Sequence, residues 1–177
     1  MASNFQDNVI RGRGGDDQID VFGPGTHTII FEPTLALNGE DEITGFSVEG
    51  PLPDRIGIAF NDDFTQSDLR GSGEFFQVLE FGVDAIGDDV GLLVFTNEIN
   101  EEDTALIADI IAAINLAPDE SVFVLAGGAD NASLVRLFRD GADDPEDEDL
   151  ASFEGVSNFD LADFSSLNIL GFNEYNP

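Results

Sequence analysis

The chain has 177 residues, with 37 Asp and Glu against six Arg and no Lys, and a formal net charge of −31. This charge excludes nucleic acid and anionic lipid headgroups as favourable partners, and the absence of Cys excludes disulfides and zinc–thiolate sites. Because 42% of the residues are hydrophobic, including 16 Phe, the chain can form a core, and we expect a single domain over residues 1–177.

The first predicted element is a short β-coil over residues 5–31. Apolar pairs or runs recur at Val9-Ile10, Ile19–Phe22 and Thr28–Phe31, with glycine-containing turns between them. Their step of about nine to ten residues is typical of a parallel β-coil, although a series of hairpins would give the same spacing. We therefore expect a β-roll-like segment at the N-terminus.

Residues 32–177 are expected to form a β-rich body. Acidic turns open strands at 38–46 and 53–60, two longer strands follow at 74–81 and 90–96, and 121–126 pairs with 133–139 across a glycine turn. Between them, apolar residues at helical spacing predict one amphipathic helix over about 101–116. The expected fold class is mainly β: a short N-terminal parallel β-roll-like coil leading into a β-sandwich-like domain with one amphipathic α-helix.

The turn at Gly12–Asp20 is close to the nonapeptide G-G-x-G-x-D-x-U-x, which binds calcium in parallel β-coils. Glycine permits the left-handed turn and a close approach of backbone carbonyls, and Asp offers the hard oxygen that calcium prefers. Arg13 stands where the pattern has its second glycine. An acidic glycine turn without metal remains the alternative. The candidate ligands here are Asn8, Gly12, Gly14, Asp16 and Asp17.

A second acidic stretch, Asp140–Asp149, offers enough oxygens to surround one calcium ion, although Pro145 interrupts it and its spacing is not that of an EF-hand. A solvated acidic loop between strands is the alternative. Dense like charge favours a nearby cation. The candidate ligands are Asp140, Asp143 and Asp144, and the acidic turns farther upstream add Asp41 and Asp54.

Catalytic side chains are scarce. His27 is the only histidine and lies in a predicted strand, and the absence of Lys excludes Schiff-base chemistry. Paired carboxylates would suit glycoside hydrolysis, but the chain has no Trp and one Tyr to stack on a sugar. We assign no catalytic residue and expect that the protein is not an enzyme.

Several segments resemble the C-terminal calcium-binding region of RTX-type proteins exported by type I secretion. The resemblance lies in the passages 14–22, 38–46 and 53–58, and in a later series of strands and acidic turns at 121–125, 131–138, 150–156 and 159–164. It implies calcium-dependent folding outside the cell, a secreted or cell-surface location and a C-terminal export signal. Residues 1–8 show no apolar core of a classical signal peptide, and no apolar segment has the length of a membrane span.

The chain leaves no room for a separate effector domain of the kind that RTX-type proteins carry. We therefore expect a secreted structural subunit that forms a homo-oligomer or polymer through calcium. Two alternatives remain open. One is a calcium-dependent adhesin that binds a surface glycan, and the other is the soluble acidic protein of a halophile, stabilised by salt.

Overall fold

The computed structural model describes residues 7–59, 74–88, 90–99, 104–141, 146–156 and 158–169. Strands dominate these residues, so the expected mainly β fold is confirmed. The elements are β1 (Asn8–Arg11), β2 (Gln18–Asp20), β3 (His27–Phe31), α1 (Leu35–Asn38), β4 (Asp41–Thr44), β5 (Arg55–Ile58), β6 (Glu74–Leu79), β7 (Val90–Glu98), α2 (Thr104–Ile114), β8 (Ser121–Gly127), β9 (Asn131–Phe138), β10 (Glu146–Glu154), α3 (Asn158–Leu161) and a 3₁₀ turn (Ser166–Asn168).

The first five strands form a parallel coil that alternates between two sheets. Strands β1, β3 and β5 pair in parallel as one three-stranded sheet, and β2 and β4 pair in parallel at the edge of a second sheet. Strands β1 to β5 therefore form the predicted parallel β-coil and not a series of hairpins. The coil continues to Ile58 instead of ending at residue 31, because the turns before Asp41 and Arg55 repeat the earlier arrangement of a turn followed by a strand.

The second sheet extends the coil into the body. Its strand order is β2-β4-β10-β9-β8-β7-β6, and β10 lies parallel to β4, so the last long strand continues the sheet that the coil begins. Strands β8 and β9 are the antiparallel pair that the glycine turn predicts. Strands β7 and β8 are parallel, and α2 connects them in the chain.

Two hydrophobic clusters lie on opposite faces of the large sheet. Leu92 and Val94 of β7 join a cluster with Ile29, Phe31 and other residues of the coil. Leu93 and Phe95, which alternate with them, join the cluster that includes Ile110 and Ile114 of α2. Phe153 of β10 makes edge-to-face contacts with Phe31 at 6.0 Å and Phe46 at 5.1 Å between ring centroids. The coil and the body thus share one core.

The remaining predictions concern the helices and the second acidic stretch. The long helix is described from Thr104 to Ile114, and its expected beginning at 101–103 lies outside the described residues. Residues 146–149 of the second acidic stretch form the start of β10 and not a loop. The one-turn helix α1 was not predicted, since Leu35–Asn38 is too short for a periodic signal. None of the described helices is both long and apolar enough to cross a membrane.

Candidate metal site at the acidic corner of the coil

One corner of the coil is formed by two stacked turns, residues 12–17 and residues 38–41, which we call the acidic corner. The backbone N–H of Asp17 donates to Oδ1 of Asp41 at 3.1 Å, and the backbone N–H of Glu40 donates to Oδ1 of Asp16 at 3.2 Å. The register of β2 and β4 places Gln18 beside Glu42, so Asp17 and Asp41 occupy equivalent positions on consecutive coils. The fold therefore brings together three of the predicted ligands.

Glycines set the spacing of this corner. A Cβ on Gly12 would lie 2.8 Å from Oδ2 of Asp17 and 3.1 Å from Oδ2 of Asp41, so only hydrogen leaves both carboxylates in place. A Cβ on Gly39 would lie 2.3 Å from the carbonyl oxygen of Gly15. A Cβ on Gly14 would meet the carbonyl oxygen of Leu37 at an ordinary 3.5 Å. Arg13, which departs from the nonapeptide, nevertheless has the left-handed φ of 68° that the pattern assigns to glycine.

Asp41 is a buried carboxylate among like charges. It is 2% exposed, and this burial, together with the charges of Asp17 and Asp16, raises its pKa above the ordinary value. The hydrogen bond from Asp17 N–H and a 3.2 Å hydrogen bond from Nδ2 of Asn38 act in the opposite direction without cancelling the effect. A cation beside Asp41 would favour its charged form and oppose both the burial and the like charges that raise its pKa.

The donor set at the acidic corner fits a hard cation. Asp16, Asp17 and Asp41 offer carboxylate oxygens, and the space beside Gly12 that a Cβ would fill is bordered by two of these carboxylates. Calcium prefers oxygen ligands and tolerates irregular geometry. Across the part of the chain that the structure describes, no three His, Cys, Asp or Glu side chains meet closely enough to hold a metal ion by themselves. Calcium here would therefore need backbone carbonyls, water or a second chain to complete its shell.

Asn8 and Asp54 lie elsewhere. Asn8 pairs with His27 in the three-stranded sheet, at the opposite end of β1 from the Gly12–Asp17 turn. Consecutive repeats lie on alternate sheets, so the residue stacked on Asp17 is Asp41 one full coil later, and Asn8 is not part of that corner. Asp54 is 3% exposed and accepts hydrogen bonds from the backbone N–H groups of His27 and Ser47, each at 2.8 Å.

The second acidic stretch is not gathered around one point in its described part. Asp140 is exposed after β9, and Asp143 and Asp144 lie outside the described residues. Glu146–Asp149 alternate along β10, and Oε2 of Glu148 accepts a 3.1 Å hydrogen bond from Nη1 of Arg136. Since neighbouring side chains of a strand point to opposite faces, these acids do not converge on a single ion.

Sequence reasoning missed Asn38, which connects the acidic corner to the body. Its Oδ1 accepts from the backbone N–H of Glu32 at 3.0 Å, and its Nδ2 donates to the carbonyl of Leu150 in β10 at 2.9 Å. It is fully buried. The Asn38-Gly39 pair indicates a turn, but the contact with Leu150 depends on the pairing of β4 with β10, for which a single sequence gives no signal.

Comparison with known proteins adds no relative: no protein-family model, curated protein or solved structure matches the chain.

Proposed function

We propose that this chain is a secreted calcium-binding structural protein that self-assembles into an extracellular layer, fibre or matrix. The observation that carries the proposal is the stacking of Asp17 on Asp41 across consecutive turns of a parallel coil. Calcium at the acidic corner would be held by Asp16, Asp17 and Asp41 with carbonyls of the glycine turn, and it would neutralise carboxylates that repel one another.

The assembly part of the proposal rests on the first coil. Within the described residues, β1 pairs only with β3 and β2 pairs only with β4, so both sheets end in an edge strand at the same end of the coil. Val9 on β1 is 50% exposed. Edge strands with unpaired backbone groups are templates for another chain. A second copy stacked there would add a coil and bring further oxygens to the incomplete ligand set.

The test is a calcium titration of the purified protein, followed by circular dichroism, light scattering and electron microscopy on the same samples. We expect calcium to increase the melting temperature and then to produce particles larger than a monomer. A protein that stays monomeric in millimolar calcium would contradict the assembly role. Restoration of the fold by molar KCl as well as by calcium would favour a halophile's acidic protein instead.

A further inference from the structure

The corner of the coil opposite the acidic corner encloses a cleft. It lies between the turns at residues 21–27 and 45–54, and its volume is about 500 Å³. Ligand sites commonly have volumes of roughly 300–1,000 Å³. Its lining includes the exposed side chains of Phe22, which is 73% exposed, and Leu52, which is 39% exposed. Pro24 and Pro51 add apolar surface. The cleft is therefore large enough, and apolar enough, for a small organic molecule.

A buried histidine lies at this cleft with one nitrogen committed. His27 is 4% exposed, and its Nδ1 lies 2.9 Å from Oδ1 of Asp54. The carboxylate of Asp54 also accepts hydrogen bonds from the backbone N–H groups of His27 and Ser47. We infer that Nδ1–H of His27 donates to Oδ1 of Asp54, and in this tautomer Nε2 carries a lone pair.

Nε2 makes no hydrogen bond to a described residue. It is also not sealed in the interior, because no fully buried side-chain nitrogen or oxygen among the described residues lacks a partner. Since His27 lines the cleft, Nε2 is the acceptor that the cleft offers to a ligand. Carboxylate-oriented imidazoles of this kind also bind metals, but no three metal-ligating side chains meet anywhere in the described structure.

The charge around the cleft selects the ligand. Glu49 is part of the lining, and the chain as a whole has a net charge of −31. This field favours a cation over a neutral or anionic ligand. The exposed ring of Phe22 suits a cation with an apolar body, through cation–π and stacking contacts. An ammonium N–H donates a hydrogen bond, which Nε2 of His27 can accept.

We propose that this cleft binds a small organic ammonium ion, with its N–H on Nε2 of His27 and its apolar body against Phe22 and Leu52. The proposal is independent of calcium binding at the acidic corner. It gives His27 a role in recognition, beyond its contacts in β3.

The probe for the test is benzylammonium, added to the full-length protein labelled with ¹⁵N. Because His27 is the only histidine, its ring nitrogens give one set of signals. We expect a saturable shift of the Nε2 signal, at least threefold weaker binding of benzyltrimethylammonium, which has no N–H, and no binding of benzoate. Equal binding of all three probes, or no saturable shift, would overturn the proposal.

Two variants of equal charge separate the cleft from general attraction to an acidic surface. Phe22→Ser removes the exposed ring of the cleft, and Val83→Ser changes a side chain that is 71% exposed and not part of the cleft lining. We expect F22S to weaken benzylammonium binding at least fivefold and V83S to leave it unchanged, with both variants folded by circular dichroism. Equal affinity of F22S and the unmodified protein would contradict the proposal.

Discussion

Asp17 and Asp41 lie beside each other on consecutive coils, and the backbone N–H of Asp17 donates to Oδ1 of Asp41 at 3.1 Å. The carboxylate of Asp41 is buried, and the like charges of Asp17 and Asp16 act on it. The backbone hydrogen bonds of the corner offset part of that repulsion, but the pKa of Asp41 remains raised. Burial and like charge therefore act on the same carboxylate of the coil.

The close approach of Gly39 to Gly15 predicts a large effect of one methyl group. Gly39→Ala would place Cβ 2.3 Å from the carbonyl oxygen of Gly15, at a φ of 83°. We expect a loss of about 3 kcal/mol in the free energy of unfolding, measured by denaturant titration. Gly23→Ala is the matched control, since Gly23 also has a positive φ, of 105°, but no atom within 4 Å of its Cβ. It should lose only about 1 kcal/mol; equal losses would show that the stacked turns do not matter.

The buried amide of Asn38 predicts coupling between the coil and the body. Asn38→Ala would leave the N–H of Glu32 and the carbonyl of Leu150 without their present partner. Orphaned buried groups cost roughly 1–3 kcal/mol each, so we expect about 3 kcal/mol of destabilisation. Asn131→Ala, at an exposed position, should change stability by less than about 0.5 kcal/mol. Hydrogen exchange should speed up in both β3 and β10 of N38A, and protection that is unchanged in β10 would argue against the connection.

The strands of the coil were predicted in part, whereas the path of the body was not predicted. Apolar residues such as Ile19 and Ile29 recur at a regular step between glycine turns, and this local pattern predicts short strands that form either a parallel coil or a series of hairpins. The pairing of β4 with β10 joins residues that are far apart in the chain, such as Ile43 and Phe153, and no local signal encodes it.

Only part of the candidate site was predicted, because some of its contacts depend on pairing between distant strands. Asp16, Asp17 and Asp41 stand in acidic turns that the sequence marks, and the structure brings them together. Asn8, which was also predicted as a ligand, lies on β1, and a half-coil separates it from Asp17. His27 and Asp54 form a pair only because β3 and β5 are neighbours, which depends on the length of the intervening turns.

Because β1 is an edge strand, we expect a single substitution on it to block assembly without preventing folding. Val9→Lys would place a charge on the exposed edge of the three-stranded sheet, which disfavours pairing with another strand. We expect calcium-induced scattering to fall at least fivefold while the calcium-dependent melting temperature is retained. Val83→Lys introduces the same charge at another exposed position and should assemble normally. Normal assembly of V9K would exclude β1 as the interface.

The pKa of Glu49, an exposed residue, tests the interaction between this side chain and Asp163. A hydrogen bond with Asp163, together with the charges of Asp163 and Asp160, raises the pKa of Glu49. A raised pKa in the folded state means that this contact stabilises the fold at acid pH and is lost as pH rises through the folded pKa. Asp163→Ala should lower the pKa of Glu49 towards its ordinary value, as followed by carboxyl ¹³C NMR. A pKa of Glu49 that is unchanged in this variant would show that Asp163 does not cause the shift.

The central claim is that a divalent cation stabilises the stacked acidic turns, and thermal unfolding with and without calcium tests it most directly. The comparison uses the unmodified protein and Asp41→Asn, each in excess EGTA, in millimolar calcium and in millimolar magnesium. Saturation with a ligand at about 100 times its Kd adds about 2.7 kcal/mol, which corresponds to several degrees in Tm. We predict this increase in Tm for the unmodified protein in calcium and a smaller increase in magnesium. In D41N, calcium should raise Tm little or not at all. An unmodified protein with the same Tm in EGTA as in calcium would contradict the account.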